Sequence, residues 1–372
     1  MAERTLKEMN EAIARNLSRF LRMPSPFTVW SHGEEPVIQV SKMDNYHRTA
    51  SDIELLQLKG NFVQSDFFYL MASACFQYAT VPAICSLVRF WNRKELVEST
   101  NEQREKLIIP DPKEAHASRM RDLCRKGVMT RYDCVLNPAQ FPASEDEDNL
   151  KTVIPVYRTN GVGSNIYSTA LEKRPVAFNL QTAFYTEAEI LRWVQNSVLT
   201  ASFLNLPYIK DAKFLYQLKV GYKKVTYMSY LTAENAANPK YNCNLILESA
   251  VLTSNEKVVP KKNRINEFVS RVSELVSSLD EMERKTGRAQ FLVFCVEDSE
   301  ALGILFKALE DCRAEKYAGR ILVTSGTVLY ARQMTDPENS IDMKESFLEY
   351  TGKNFAPATG LYFLHSEILN TL

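Results

Sequence analysis

The chain has 372 residues, 45% of them hydrophobic and 24% charged, which excludes a disordered or fibrous protein and leaves room for two or three folded domains. Its 45 Lys and Arg balance 45 Asp and Glu. That formal neutrality excludes a protein that coats nucleic acid through its overall charge, so any binding to a polyanion has to come from local clusters.

Seven Cys (75, 85, 124, 134, 243, 295, 312) are scattered, with no CxxC and no Cys/His pairing at zinc-ligand spacing. Most lie in apolar runs such as FLVFCVED, where a free thiol packs as a small hydrophobe, so a reduced chain is expected. The opening MAERTLKEMNEAIARNL lacks the apolar centre of a signal peptide, and no run of about 18 apolar residues follows. No membrane insertion and a cytoplasmic location are therefore expected.

In chain order, Leu6, Met9, Ile13, Leu17 and Leu21 predict an amphipathic helix over 3–22, broken at Pro24 and Pro26. Docking on the body, pairing with a second copy and contact with DNA or a membrane surface all remain open for it. PVIQV then reads as a short strand. Residues 65–79 form a dense apolar helix, and Thr80 caps the next, VPAICSLVRFWNRK, with Pro82 in its first turn. A charged insertion over 95–112 ends in Pro110 and Pro112.

The run KEAHASRMRDLCRKGVMTR follows. On a helix over 113–126, Ala117, Met120, Leu123 and Cys124 share one side, while Ala115, Ser118, Arg119, Asp122, Arg125 and Lys126 share the other. Gly127 suits a left-handed cap, and strands over 128–136 and 152–160 make a hairpin. Helix, glycine and hairpin is the winged-helix order. Six Lys or Arg against two acids between Lys113 and Arg131 make a local cationic patch, and Lys113, His116, Ser118, Arg119, Arg125, Lys126 and Arg131 are expected to contact double-stranded DNA. The plainer alternative is a solvated helix whose basic last turn suits its dipole. The hairpin loop carries Glu145, Asp146, Glu147 and Asp148, which phosphate would repel, so it reads as a solvated loop. Gly161-Val162-Gly163 is too short for a nucleotide fingerprint.

A second domain opens with a helix at Thr186. Strands AKFLYQLKVG, KKVTYMSYLT and YNCNLILESAVL, a helix over 260–285, strand QFLVFCVE, helix SEALGILFKALEDC and strand RILVTSG complete an α/β order. The tail from Ser340 is expected to hold a short helix and an apolar end that packs back on the body. Lys257, Lys261, Lys262 and Arg264 gather where cations oppose the dipole of the following helix; they read as a second phosphate contact or as a solvated loop. The four His make no HExxH, and neither GxSxG nor a phosphate loop occurs, so no cofactor or metal is expected.

The phrases SRMRDLCRKGVMTRY and VIPVYRTNGVG, and the later order LILES, long helix, FLVFCVED, resemble the replication-relaxation family of plasmids and integrative elements. The resemblance covers residues 60 to 325 and implies a lead-in over 1–60, a winged-helix domain over 61–170, an α/β domain like the PD-(D/E)xK nucleases over 182–335 and a tail over 336–372. Such nucleases hold Mg²⁺ with acids from two neighbouring positions and place a Lys two residues after the second acid. Here Glu248 is followed by Ser249 and Ala250, so the nuclease-like fold is expected to be degenerate, and Glu248 reads as a relic ligand, as an active ligand with a migrated lysine, or as a polar strand-end residue with a hydrogen-bonding partner. Asp211 as first acid, with Lys257 or Lys261 reaching in, is the substitute arrangement. The reading is a DNA-binding protein of a plasmid or mobile element whose inactive nuclease-like domain serves assembly, including self-association, or extra DNA contact. A metal-dependent nuclease with a displaced lysine and a protein-interaction scaffold are the alternatives.

Overall fold

In the computed structural model, the described residues are 25–29, 36–98 apart from 47, 50, 53, 55 and 57–59, 113–137, 153–170, 185–235, 239–253, 259–329 and 347–358. The expected N-terminal helix, the acidic hairpin loop, most of the insertion before Lys113, and Lys257 lie outside them. The chain divides into two units, Gly33–Leu136 with Lys151–Asn205, and Met1–His32 with Asn137–Leu150 and Leu206–Leu372.

The first unit holds β1 (Ile38–Val40), α1 (Gln64–Phe76), β2 (Ala79–Thr80), α2 (Val81–Glu98), α3 (Lys113–Arg125), β3 (Met129–Val135), β4 (Val153–Thr159), α4 (Gly161–Ala170) and α5 (Glu187–Leu204). Its sheet runs β1-β3-β4-β2, all antiparallel. α1 stops where Gln77, at φ +64°, turns the chain, and its amide reaches back to Ala74. Two residues of β2 then pair with β4 before Thr80 Oγ1 accepts the Ala83 N–H and α2 begins. α3 ends as read: Gly127 adopts φ +74°, and the amides of Gly127 and Val128 return to the carbonyls of Cys124 and Leu123.

Two features of this unit differ from expectation. Gly161-Val162-Gly163 opens a helix, with the Asn160 side chain accepting from the Gly163 amide at 2.9 Å and donating to the Gly127 carbonyl at 2.8 Å. A Cβ at Gly163 would lie 2.1 Å from the Val128 carbonyl oxygen, so this glycine is there for close approach of α4 to the start of β3. α5 has the expected Thr186 cap and its reciprocal bond with Glu189, yet it packs on α2, α1, β1 and β2 and belongs to this unit. Its Glu187 carboxylate holds the amides of Val37 and Ile38, fixing the entry to β1.

The second unit is a seven-stranded sheet in the order β11-β10-β9-β8-β7-β6-β5. β5 (Ile209–Val220), β6 (Lys223–Ala233) and β7 (Cys243–Ser249) are antiparallel, and β7, β8 (Ala289–Val296) and β9 (Ile321–Ser325) are parallel. The crossovers are α6 (Lys261–Thr286) and α7 (Ser299–Asp311). Val272, Leu275 and Leu279 of α6 and Leu305 of α7 meet Ile246, Phe294 and Val323 in one buried cluster. The central strands are buried along nearly every residue, the expected pattern for parallel strands. The tail corrects expectation: Leu348–Tyr350 (β10) and Phe355–Pro357 (β11) extend the sheet, and the expected terminal segment falls outside the described residues. None of the described helices is long and apolar enough to cross a membrane.

Candidate functional sites

α3 buries His116, Met120, Leu123 and Cys124 and exposes Ser118, Arg121 and Arg125. Those three recur at i, i+3 and i+7, one stripe on the helix surface. The stripe is rotated from the sequence expectation, and acids of the same unit explain why. Asp66, fully buried at the start of α1, receives Arg119 through Nε and, at 2.5 Å, through Nη2, and the same guanidinium reaches Asp122 at 3.1 Å. Lys126 is 2.9 Å from Asp122, donates to the Asn61 carbonyl and lies over the Phe62 ring. Arg125 and Arg131 share Asp44, at 2.6 and 3.3 Å, and Arg131 also meets Asp133.

Several expected contact residues therefore sit elsewhere. His116 is 2% exposed and hydrogen-bonded through Nδ1 to the Tyr69 hydroxyl, so it faces inward. Arg119 and Lys126, expected outward, turn back onto Asp66 and Asp122 because an anion buried under α3 needs a cation. Ser118 and Arg125 are exposed as expected, and Arg131 lies partly covered on β3. Lys113 opens α3, but its side chain lies outside the described residues. Arg121 is the residue that sequence reasoning passed over; it is exposed and makes no ion pair among the described residues. The signal was present: the spacing from Ser118 to Arg121 to Arg125 fits a stripe once His116 is counted with the buried side.

The Lys257–Arg264 cluster disperses. Lys261 Nζ sits 2.8 Å from both Glu300 oxygens, which holds its pKa above the ordinary lysine value, and Arg264 is 8% exposed beside Glu267. Lys262 alone of the described members is exposed without an ion pair among the described residues. The chain matches no family model, no curated protein and no solved structure.

Glu248, 1% exposed on β7, is held by Arg271 of α6 at 2.9 Å. Arg271 also bonds Glu274 and the Thr226 carbonyl. Burial lowers the guanidinium's pKa, but the Glu248 and Glu274 carboxylates more than offset this and hold it above its ordinary value. Asp211 does not join them. It lies opposite Thr232, itself opposite Asn244, so it is two strands away and about 13 Å along the strand direction from Glu248. Lys261 is engaged with Glu300. The substitute arrangement of Asp211, Glu248 and Lys261 is thus absent. Among the described residues no three His, Cys, Asp or Glu gather as a metal site. Sequence reasoning missed Arg271, although Arg264, Phe268, Arg271 and Leu275 follow the buried stripe of α6, and a cation on such a stripe calls for a buried partner. An open groove of about 880 Å³ runs beside this pair between α6 and the β5–β6 turn, lined by Lys223, Val225, Val269, Ser273 and Glu274 among others.

Glu297, at the end of β8, is 2% exposed and accepts the amides of Leu252 and Thr253 and the Thr253 hydroxyl. Burial first, then the neighbouring Asp298 charge, raises its pKa to about 7 against the pull of those hydrogen bonds. It pins the segment after β7 to the end of β8. The six Cys at 75, 85, 124, 134, 243 and 295 are buried and Cys312 is partly so, in keeping with thiols used as packing.

Proposed function

We propose that the protein binds duplex DNA through α3 and that its α/β unit has a binding or assembly role with Glu248 as a structural carboxylate. The observation that carries the DNA reading is the first unit's layout. Helix, two-residue strand, helix, helix and hairpin follow in that order, the short strand lies on the outer edge of β4, and the last helix presents Ser118, Arg121 and Arg125 to solvent. A winged-helix domain uses this order, with the third helix in the major groove. An exposed arginine stripe with a small hydroxyl residue suits guanine edges and phosphates.

The second unit follows three antiparallel strands, a helix and a parallel strand, which is the core order of PD-(D/E)xK folds and agrees with the replication-relaxation resemblance. Chemistry argues against cleavage at Glu248. A carboxylate already neutralised by Arg271, whose guanidinium also occupies Glu274, and with Asp211 two strands away, makes a poor Mg²⁺ ligand. Mobile-element origin is part of the proposal on the strength of the resemblance.

The test is a titration of labelled duplex with the purified chain at graded salt. Two phosphates neutralised through the α3 face, by Arg121 and Arg125, correspond to a log–log slope of about −1.8. Absence of binding at low salt removes the reading, and loss of supercoiled DNA with Mg²⁺ that disappears in Glu248→Ala would replace it with the nuclease.

A further inference from the structure

The β5–β6 ribbon carries a feature that its own stability does not explain. Beyond Ser229, where the pairing of β6 with β7 ends, the two strands continue together from Tyr216 opposite Tyr227 to Val220 opposite Lys223. One side of this extension is accounted for. Tyr216, Leu218, Val220, Val225 and Tyr227 pack on the core beneath α6. Tyr227 and Tyr230 both join that cluster although they are three positions apart, an odd spacing, so the strand alternation breaks between them; Leu215, at φ +49°, lies on β5 opposite the break.

The other side and the tip face solvent. Lys219 stands directly opposite Lys224, and both are exposed. Like charges in direct cross-strand register repel and destabilise a ribbon. Lys223 adjoins them at the turn, and none of the three makes an ion pair among the described residues. Glu267 and Glu274, which share the groove with Lys223, already engage Arg264 and Arg271. Between the strands, the turn Gly221-Tyr222, with Gly221 at φ +58°, holds Tyr222 fully exposed at 103%. An aromatic ring left wholly in water at the apex of a lysine-rich turn is the second, independent sign of a ligand.

We infer that the β5–β6 tip binds a nucleic-acid strand with accessible bases, Lys219, Lys223 and Lys224 taking phosphates while the Tyr222 ring stacks on a base. The inference rests on the nucleic-acid reading above and adds to it a contact made by the second unit. Charge complementarity selects the partner: three unneutralised cations on one turn match a polyanion, and a flat ring among them matches a base face. A lipid surface fits less well, because the exposed set offers no aliphatic side chain to enter the acyl boundary and Val220 is turned to α6. Sequence-independent binding follows, since every base offers a π-face and every nucleotide a phosphate.

The experiment uses the full chain with a labelled single-stranded oligonucleotide, the same sequence as duplex, and phosphatidylserine vesicles. Lys219→Gln with Lys224→Gln should make the single-strand salt slope shallower by about 1.4. Tyr222→Ala should weaken single-strand binding about tenfold and duplex binding less. Lys224→Glu should weaken binding yet melt no lower than the parent, because it turns a repulsive pair into an attractive one; that separates loss of contact from loss of fold. An unchanged slope and unchanged single-strand affinity in these folded variants, with duplex binding still sensitive to Arg121→Ala, would overturn the ribbon contact alone. Vesicle binding without oligonucleotide binding would overturn it in favour of a membrane surface. Failure of the chain to bind either nucleic acid would sink both readings.

Discussion

Truncating Arg271 to Ala exposes the energetics of the α/β unit most sharply, because it leaves Glu248 as a charge that is 1% exposed with its cation gone. Breaking a buried pair by removing one partner costs about 3–5 kcal/mol. The groove beside Arg271 shifts the expectation to the lower end, about 3 kcal/mol, since removing the side chain lets water from that groove reach the abandoned carboxylate. Arg271→Lys keeps the charge but not the fork that serves Glu248, Glu274 and the Thr226 carbonyl together, and should cost about 1–2 kcal/mol. Replacing both partners, Glu248→Met with Arg271→Met, should recover most of the loss, as apolar substitutes for buried pairs often do. Urea unfolding with an unchanged m-value reads these differences directly. A cost below about 1 kcal/mol for Arg271→Ala, or a double variant weaker than the single, would refute the pair as the reason Glu248 is tolerated in the core.

Arg119→Ala should lower stability by about 1–3 kcal/mol through the stranded Asp66, a value discounted for the arginine's partial exposure, and should change DNA affinity less than Arg121→Ala does; a purely binding defect at full stability would count against the inward pairing. Gly163→Ala should destabilise severely, because its Cβ would meet the Val128 carbonyl at 2.1 Å, and a variant within about 0.5 kcal/mol of the parent would contradict that close approach. Glu297 makes stability depend on pH. Its folded pKa of about 7 lies above the ordinary 4.5, so the native state binds the extra proton, and the stabilisation is complete below pH 4.5 and lost as pH rises through 7. Denaturation midpoints between pH 5 and 8 should fall with pH in the parent and less steeply in Glu297→Gln; equal slopes would contradict the assignment.

Elements whose signals are local were legible in the sequence. Thr186 with Glu189, Gly127 after Cys124, and the apolar stripe of α6 place their helices correctly because caps and periodicity act over one or two turns. What the sequence hid depends on partners far along the chain. Arg119 looks like an outward arginine until Asp66, 53 residues earlier, is seen beneath it, and Arg271 finds Glu248 23 residues away. Gly163 could not be read because its cause is the carbonyl of Val128. The β10–β11 extension was missed for a related reason: three-residue strands carry too little alternation to register and form only against an existing sheet edge.

The central claim is that the exposed stripe of α3 meets DNA, and charge reversal at Arg121 tests it with the least structural disturbance, since this side chain is exposed and makes no ion pair among the described residues. Arg121→Glu and the parent, matched in thermal stability, would be titrated into labelled duplex over a salt series. Removing one phosphate contact and adding a repulsive charge should weaken binding at low salt by at least tenfold and make the slope shallower by about 0.9 or more. Equal affinity and equal slope for the two proteins would contradict the claim.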